Sequence, residues 1–156
     1  MDEKIVVPLD GSKVGEAALP YVEDLVSKLS PEVKAEVILL QVIAREIVPA
    51  VGGTAAATTP SVQKQLEESE KRGMDYLNEI GEALRSKGAM VTAKVAVGDA
   101  SEEIVKLAEE IDANLIAMST HGRSGLSRWA FGSVTDKVLR REGRIPIIMV
   151  RAPKKT

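Results

Sequence analysis

The chain has 156 residues, about the length of one ordinary domain. Apolar residues make up 44% of it and charged residues 28%, a balance typical of a soluble globular protein. It has no apolar stretch of the roughly 20 residues that cross a membrane, and its lack of cysteine excludes disulfides and a thiol nucleophile. The first residues are charged and do not resemble a signal peptide, so we expect a cytoplasmic location.

The net charge of −2 conceals an uneven distribution. Residues 1–120 carry 12 Lys and Arg against 21 Asp and Glu, whereas residues 121–156 carry 9 against 2. A basic C-terminal third is typical of a protein that meets an anionic partner. A solvated basic helix face followed by a basic tail over residues 152–156 would give the same distribution.

The first part of the chain alternates strand and helix patterns. Lys4 to Asp10 is a β-branched apolar run that ends in a turn, and this predicts the first strand. Helical spacing follows from Val14 to Leu25, where Pro20 should kink or break the helix. Ala35 to Ile43 predicts a second buried strand. Small residues dominate positions 44–60 and predict a long loop.

The remaining elements are predicted from periodicity and from helix start and stop signals. Gly88 is expected to end a long charged helix, and Asp99 to cap the next helix, with Glu102 completing a capping box. In chain order these elements are a helix over Pro60 to Lys87, a strand over Ala89 to Val97, a helix after Asp99, a strand over Ala113 to Ser119, a helix over Ser133 to Arg141 and a strand over Ile145 to Val150.

The order of elements predicts the fold class. Strands that are apolar throughout, separated by amphipathic helices, indicate an α/β domain with a mostly parallel sheet covered by helices on both faces. We expect a single domain over residues 1–156 with an open five-stranded sheet. Ligands of such sheets bind at the carboxyl ends of the strands, where the strand order reverses.

Residues 118–139 combine glycines with hydroxyl side chains and hold the single His, Trp and Phe of the chain. This segment leaves the predicted fourth strand at Ser119 and re-enters a helix at Gly132 and Ser133. Glycine allows close backbone approach, and the free N–H groups that open a helix attract phosphate. The segment therefore predicts a phosphate-binding connection, with an ordinary serine-capped connection as the alternative.

Other chemistries find less support in the sequence. The phosphate-binding pattern G-x-x-x-x-G-K-[ST] is absent, and no G-x-G-x-x-G follows the first strand. His121 has no His or Cys nearby in the sequence, so no metal ligands are predicted. Trp129 and Phe131 are expected to pin their loop to the domain, with stacking on a base as the alternative.

Four stretches, "IVVPLDGS", "LLQVI", "VGDASEEIV" and "STHGRSGLSRWAFGSVTDKVL", are similar to the universal stress protein family. The resemblance runs from Lys4 to Val150 and implies the strand order 3-2-1-4-5. Gly122, Gly132 and Ser133 match the pattern G-x-x-G-x9-G-[ST] of the ATP-binding branch. The first position of that pattern is Ser119 instead of glycine, from which we expect weakened or altered binding.

The resemblance also implies a ligand and its contacts. The ligand would be ATP, with or without Mg²⁺, with ADP or AMP as alternatives. Asp10 would contact the ribose or adenine, Val42 the adenine, and Met118 the ribose, while the residues around Gly132 would hold the phosphates. The implied nucleotide-contacting residues are Pro8, Leu9, Asp10, Val42, Met118, Ser119, Gly122, Arg123, Gly132, Ser133, Val134 and Thr135.

The function implied by the resemblance is a nucleotide-dependent switch in a stress response. No catalytic residue is predicted, because no general base is evident beside the phosphates, although slow ATP hydrolysis is compatible with the pattern. We expect a homodimer through the apolar last strand, Ile145 to Val150, with an unidentified protein partner and neither membrane nor nucleic acid.

Two other functions stay open at this point. One is an enzyme of a related adenine-binding fold that transfers AMP, although its S-G-G-x-D-S signature is absent after the first strand. The other is a nucleotide-independent interaction module that uses the basic C-terminal third and would bind in a salt-sensitive way.

Overall fold

The computed structural model describes residues 2–45, 60–120 and 132–153. Most of the predicted loop over 44–60 and of the predicted tail over 152–156 lies outside these residues. The described elements are β1 Asp2–Pro8, a 3-10 turn Gly15–Ala18, α1 Leu19–Lys28, β2 Lys34–Ile43, α2 Pro60–Arg85, β3 Met90–Val97, α3 Ala100–Glu110, β4 Leu115–Thr120, α4 Ser133–Arg140 and β5 Ile147–Arg151.

The five strands form one sheet in the order β3-β2-β1-β4-β5, and all described pairs are parallel. The predicted fold class and strand order are therefore confirmed. β1 and β4 are neighbours in space, although two strands separate them in the chain. The chain crosses to the other side of β1 at this point, which opens a crevice at the carboxyl ends of β1 and β4.

Alternating residues of the central strands face two separate cores. One core packs side chains of β1 and β2 against α1 and α2, including Val7, Leu39, Val22 and Leu77. The other packs the opposite face against α3 and α4, including Val6, Ile38, Ile104, Ile116 and Val138. Because both faces are covered, the central strands read as continuous apolar runs in the sequence.

Local signals place the ends of the helices. The predicted break at Pro20 is confirmed, since a 3-10 turn precedes α1 and the proline lies in the first turn of α1, where its missing N–H is not needed. Gly88 follows α2 with φ +89°, a conformation that favours glycine. The predicted start of the long helix at Pro60 is confirmed, since Pro60 opens α2; proline is well suited to a first helical position.

Two features are absent from the described part of the chain, a membrane-spanning helix and a metal-binding cluster. No helix there combines the length and the apolarity that a membrane span needs. The same residues contain no group of three or more His, Cys, Asp or Glu side chains arranged to hold a metal ion.

Candidate functional site

A cavity of about 270 Å³ lies at the carboxyl ends of β1 and β4, in the crevice where the strand order reverses. The ends of β1, β2 and β4, the 3-10 turn and the starts of α3 and α4 contribute its walls. Its lining residues are Pro8, Leu9, Asp10, Ser12, Val14, Gly15, Leu40, Val42, Ala100, Ile104, Met118, Ser119, Gly132, Ser133, Val134 and Thr135.

Most of the predicted nucleotide-contacting residues meet in this cavity. Gly122 and Arg123 lie outside the described residues. The others all belong to the lining, and they are Pro8, Leu9, Asp10, Val42, Met118, Ser119, Gly132, Ser133, Val134 and Thr135. The sequence reading missed six lining residues, which are Ser12, Val14, Gly15, Leu40, Ala100 and Ile104.

The missed residues differ in the signal that could have found them. Ser12 and Gly15 follow Asp10 in the turn after β1, where ligand contacts are expected in a fold of this class. Ala100 opens α3 directly after the predicted cap Asp99. Ile104 carried no such signal, because its place in the apolar stripe of α3 marks it only as a core residue.

The inner part of the cavity is apolar. Leu40, Ile104 and Met118 line it, are each at most 5% exposed and belong to the same buried cluster, the one that packs against α3 and α4. Val42 adds a half-buried apolar side chain near the end of β2. This part of the cavity fits the flat face of an apolar or aromatic ring better than a charged group.

The start of α4 gives the cavity a polar end. Gly132 is the N-cap residue, and no side-chain hydrogen bond caps the helix among the described residues. The first N–H groups of a helix have no partner within the helix, and they carry the positive end of its dipole. The Thr135 side chain, 5% exposed, lines the cavity beside them. This end is suited to an anion.

Gly132 has φ −55° and ψ 152°, a conformation that any residue adopts. Backbone strain therefore does not require glycine here. Gly132 lines the cavity, so the small size of glycine leaves room for a ligand beside the start of α4.

The turn after β1 is held by a chain of hydrogen bonds. Asp10 Oδ1 accepts from the Ser12 backbone N–H at 2.9 Å and from the Ser12 hydroxyl at 2.6 Å. The Ser12 Oγ accepts in turn from the Gly15 N–H at 3.0 Å. Gly11 between them has φ +85°, which favours glycine. The Asp10 carboxylate is thus oriented by its own turn.

The long helix α2 supports the same turn from outside the cavity. The Tyr76 hydroxyl donates to Glu16 Oε1 at 3.0 Å, and Lys13 Nζ lies 3.0 Å from Glu16 Oε2. Burial, followed by the hydrogen bond to Glu16 and the nearby carboxylate charges, raises the pKa of Tyr76 well above its ordinary value. The phenol therefore keeps its proton and its bond to Glu16 near neutral pH.

The Ser119 hydroxyl is engaged by the protein itself. Its Oγ accepts from the Ala18 N–H at 2.8 Å and donates to the Gly15 carbonyl at 2.8 Å. The weakened or altered binding that we expected from Ser119 would require its side chain to face the ligand. In the structure that side chain bonds the 3-10 turn.

The predicted cap of α3 is confirmed, because Asp99 Oδ1 accepts from the Glu102 N–H at 3.1 Å. The Ser101 hydroxyl bond, followed by the Glu102 N–H, lowers the pKa of Asp99. The Glu102 carboxylate pairs with Arg141 at 3.1 Å instead of completing the capping box. Lys137 lies 3.7 Å from Asp99, so carboxylates of α3 partly neutralise the basic C-terminal third.

The sequence matches a known protein family over nearly its whole length. The family model of the universal stress proteins matches residues 1–151. The chain belongs to the universal stress protein family. Two relatives come from Methanocaldococcus jannaschii. Universal stress protein MJ0531 is 31% identical over 153 residues, which cover 98% of this chain and 84% of that protein. Universal stress protein MJ0577 is 34% identical over 161 residues, which cover 97% and 96% of the two chains.

Solved structures share the fold. The structure of MJ0577 superposes with a TM-score of 0.78 at 27% identity and covers 98% of each chain. An Arabidopsis thaliana family member with AMP bound has a TM-score of 0.64 at 17% identity over 97% of this chain and 92% of that one. A universal stress protein in complex with cAMP has a TM-score of 0.62 at 20% identity over 96% of each chain.

Proposed function

We propose that this chain is an ATP-binding regulatory protein of the stress response. Nucleotide in the cavity between β1 and β4 would change its conformation or its choice of protein partner, in the cytoplasm. One observation carries the proposal: a single cavity is lined both by buried apolar side chains and by the N-terminus of α4, which no side chain of the described residues caps. A nucleotide has the same two parts, a flat base at one end and phosphates at the other.

The lining residues fit an adenine nucleotide in a definite orientation. The adenine would lie against the apolar lining residues Leu40, Val42 and Ile104. Asp10, oriented by Ser12, would accept hydrogen bonds from the ribose hydroxyls. The phosphates would lie at the start of α4, where N–H groups and the helix dipole favour negative charge. Gly122 and Arg123 belong to the phosphate end in this proposal, as the family pattern implies.

Two relatives support an adenine nucleotide rather than another ligand class. The plant protein binds AMP and the other binds cAMP, so both hold an adenine, a ribose and one phosphate. In our proposal these parts would lie against the apolar lining residues, Asp10 and the first turn of α4 in this chain. We propose ATP, with or without Mg²⁺, because the pattern that ends at Gly132 and Ser133 is that of the ATP-binding branch of the family.

We also propose a homodimer through β5. This strand lies at one edge of the sheet, and Ile147 to Val150 remain half-buried there. An apolar edge strand with free backbone groups is a site of association unless it is covered. Pairing with β5 of a second copy across a two-fold axis would cover it.

The decisive experiment identifies the ligand without assuming it. Protein purified without added nucleotide is denatured, and the released small molecules are identified by mass. Thermal unfolding is then followed with ATP, ADP, AMP, cAMP and GTP. At a ligand concentration of about 100 times Kd, binding adds about 2.7 kcal/mol to the free energy of unfolding. This is a rise in Tm of about 5 to 11 °C for a domain of this size. The absence of a shift with every adenine nucleotide at millimolar concentration would reject the proposal.

A further inference from the structure

We infer that Ser119 is a positioning residue, whose hydroxyl holds the 3-10 turn Gly15–Ala18 in the place that nucleotide binding needs. The inference rests on the proposed function, since it concerns the affinity of the same cavity. Ser119 occupies a motif position where glycine is expected. In this inference its side chain supports binding and does not obstruct the ligand.

The hydroxyl joins two parts of the chain that are about a hundred residues apart. Its proton is donated to the Gly15 carbonyl and one lone pair accepts from the Ala18 N–H, both at 2.8 Å. These two backbone groups are three residues apart, the spacing that a 3-10 turn pairs. A hydroxyl has one proton to donate, so Ser119 has none left for a ligand.

Gly15 is consequently held from both sides by serine hydroxyls. Its N–H donates to Ser12 Oγ at 3.0 Å, and Ser12 in turn bonds Asp10. Its carbonyl accepts from Ser119. The chain of bonds runs from the end of β4 through the turn to the Asp10 carboxylate, so a change at Ser119 reaches the group proposed to contact the ribose.

The turn is also a wall of the cavity. Gly15 of the turn and the preceding Val14 line it, while the buried Ala18 anchors the turn in the core. The turn lies next to β4 and β5, and Ser119 is the side chain of β4 that bonds its backbone among the described residues. Without the hydroxyl the turn would sample other positions, and the apparent Kd rises in proportion as the competent fraction falls.

The experiment compares Ser119→Ala, Ser119→Thr and the wild type. Isothermal titration with ATP measures affinity, and hydrogen exchange measures the Ala18 amide in the free protein. We expect Ser119→Ala to raise the Kd about two- to tenfold and to speed exchange at Ala18. Ser119→Thr keeps the hydroxyl, and its affinity should return toward the wild-type value.

The matched control is Thr92→Val on β3, which removes a half-buried hydroxyl bond to Glu36 of β2; neither residue lines the cavity. It should lower Tm about as much as Ser119→Ala while changing neither the Kd nor exchange at Ala18. This separates positioning of the turn from a general loss of stability.

The outcomes are distinct. Unchanged or tighter ATP binding by folded Ser119→Ala would overturn the inference and leave the proposed function standing. A comparable loss of affinity in Thr92→Val would also overturn it, because the effect would then be general. A wild-type protein that binds no adenine nucleotide would reject the proposed function and this inference together.

Discussion

Replacing Gly15 by alanine tests whether the turn after β1 sets the affinity of the cavity. A Cβ atom built at Gly15 would lie 2.6 Å from Asp10 Oδ1, whereas ordinary contacts begin at about 3.4 Å. The carboxylate would have to retreat by about 0.8 Å. Its bonds to Ser12, now 2.9 and 2.6 Å long, share the oxygen that must move.

The expected effect on stability is small. Losing one of the two bonds of this exposed carboxylate costs about 0.5 to 1.5 kcal/mol. Alanine at an ordinary φ recovers about 0.4 to 1 kcal/mol, because it restricts the unfolded chain. The free energy of unfolding should therefore change by less than about 1 kcal/mol, which is a Tm change of at most about 4 °C.

The expected effect on ATP binding is larger. A displaced Asp10 carboxylate would lose its proposed bonds to the ribose, and hydrogen bonds to charged groups contribute about 1.5 to 3 kcal/mol. The Kd for ATP should rise about tenfold to a hundredfold. Isothermal titration measures this change, with circular dichroism and thermal unfolding on the same samples.

A matched control is Gly143→Ala, another exchange in a connection, where the new Cβ would lie 3.7 Å from Glu109 and meet no obstacle. It should leave the Kd unchanged. A double-mutant cycle then tests the cause: with Asp10→Ala already present, Gly15→Ala should have little further effect on affinity. Additive losses in the cycle, or wild-type affinity in Gly15→Ala alone, would refute the reasoning.

Three further predictions concern other parts of the molecule. Ser133→Ala should weaken ATP binding by up to about 3 kcal/mol. Gly132→Val should fold normally and bind little or no ATP. A folded Gly132→Val that binds ATP like wild type would mean that the phosphates lie elsewhere. Met149→Pro should give a monomer by light scattering while Met149→Leu stays dimeric. Pro146 and Ala152 bond to β4, and backbone groups alternate sides along a strand, so the Met149 N–H faces the free edge. A dimeric Met149→Pro would place the interface elsewhere. The raised pKa of Tyr76 stabilises the fold fully below about pH 10, and the free energy of unfolding should fall above it as the unfolded chain loses this proton first. Urea unfolding between about pH 9 and 11 should show a shallower fall for Tyr76→Phe, whereas Tyr21→Phe, which changes an exposed tyrosine, should match wild type.

The sequence by itself determined the order and type of the elements. The β-branched runs of β1 and β2 and the apolar stripe of α2 are periodic over many residues, and periodicity is a local property that a single chain displays. The alternation of strand and helix then favoured a parallel sheet, and the place of the cavity followed from the general rule for such sheets. The strand order and the residues around Gly132 came from family resemblance, which compares local stretches in the same way.

The tertiary structure decided how the cavity is assembled. Ile104 reads as an ordinary core residue until the sheet brings the start of α3 over the end of β2. Ser119 reads as a departure from a glycine motif, yet its hydroxyl bonds Gly15 and Ala18, which precede it by 104 and 101 residues. No local pattern marks such a pair, because packing of the whole domain sets which distant groups come within hydrogen-bond distance.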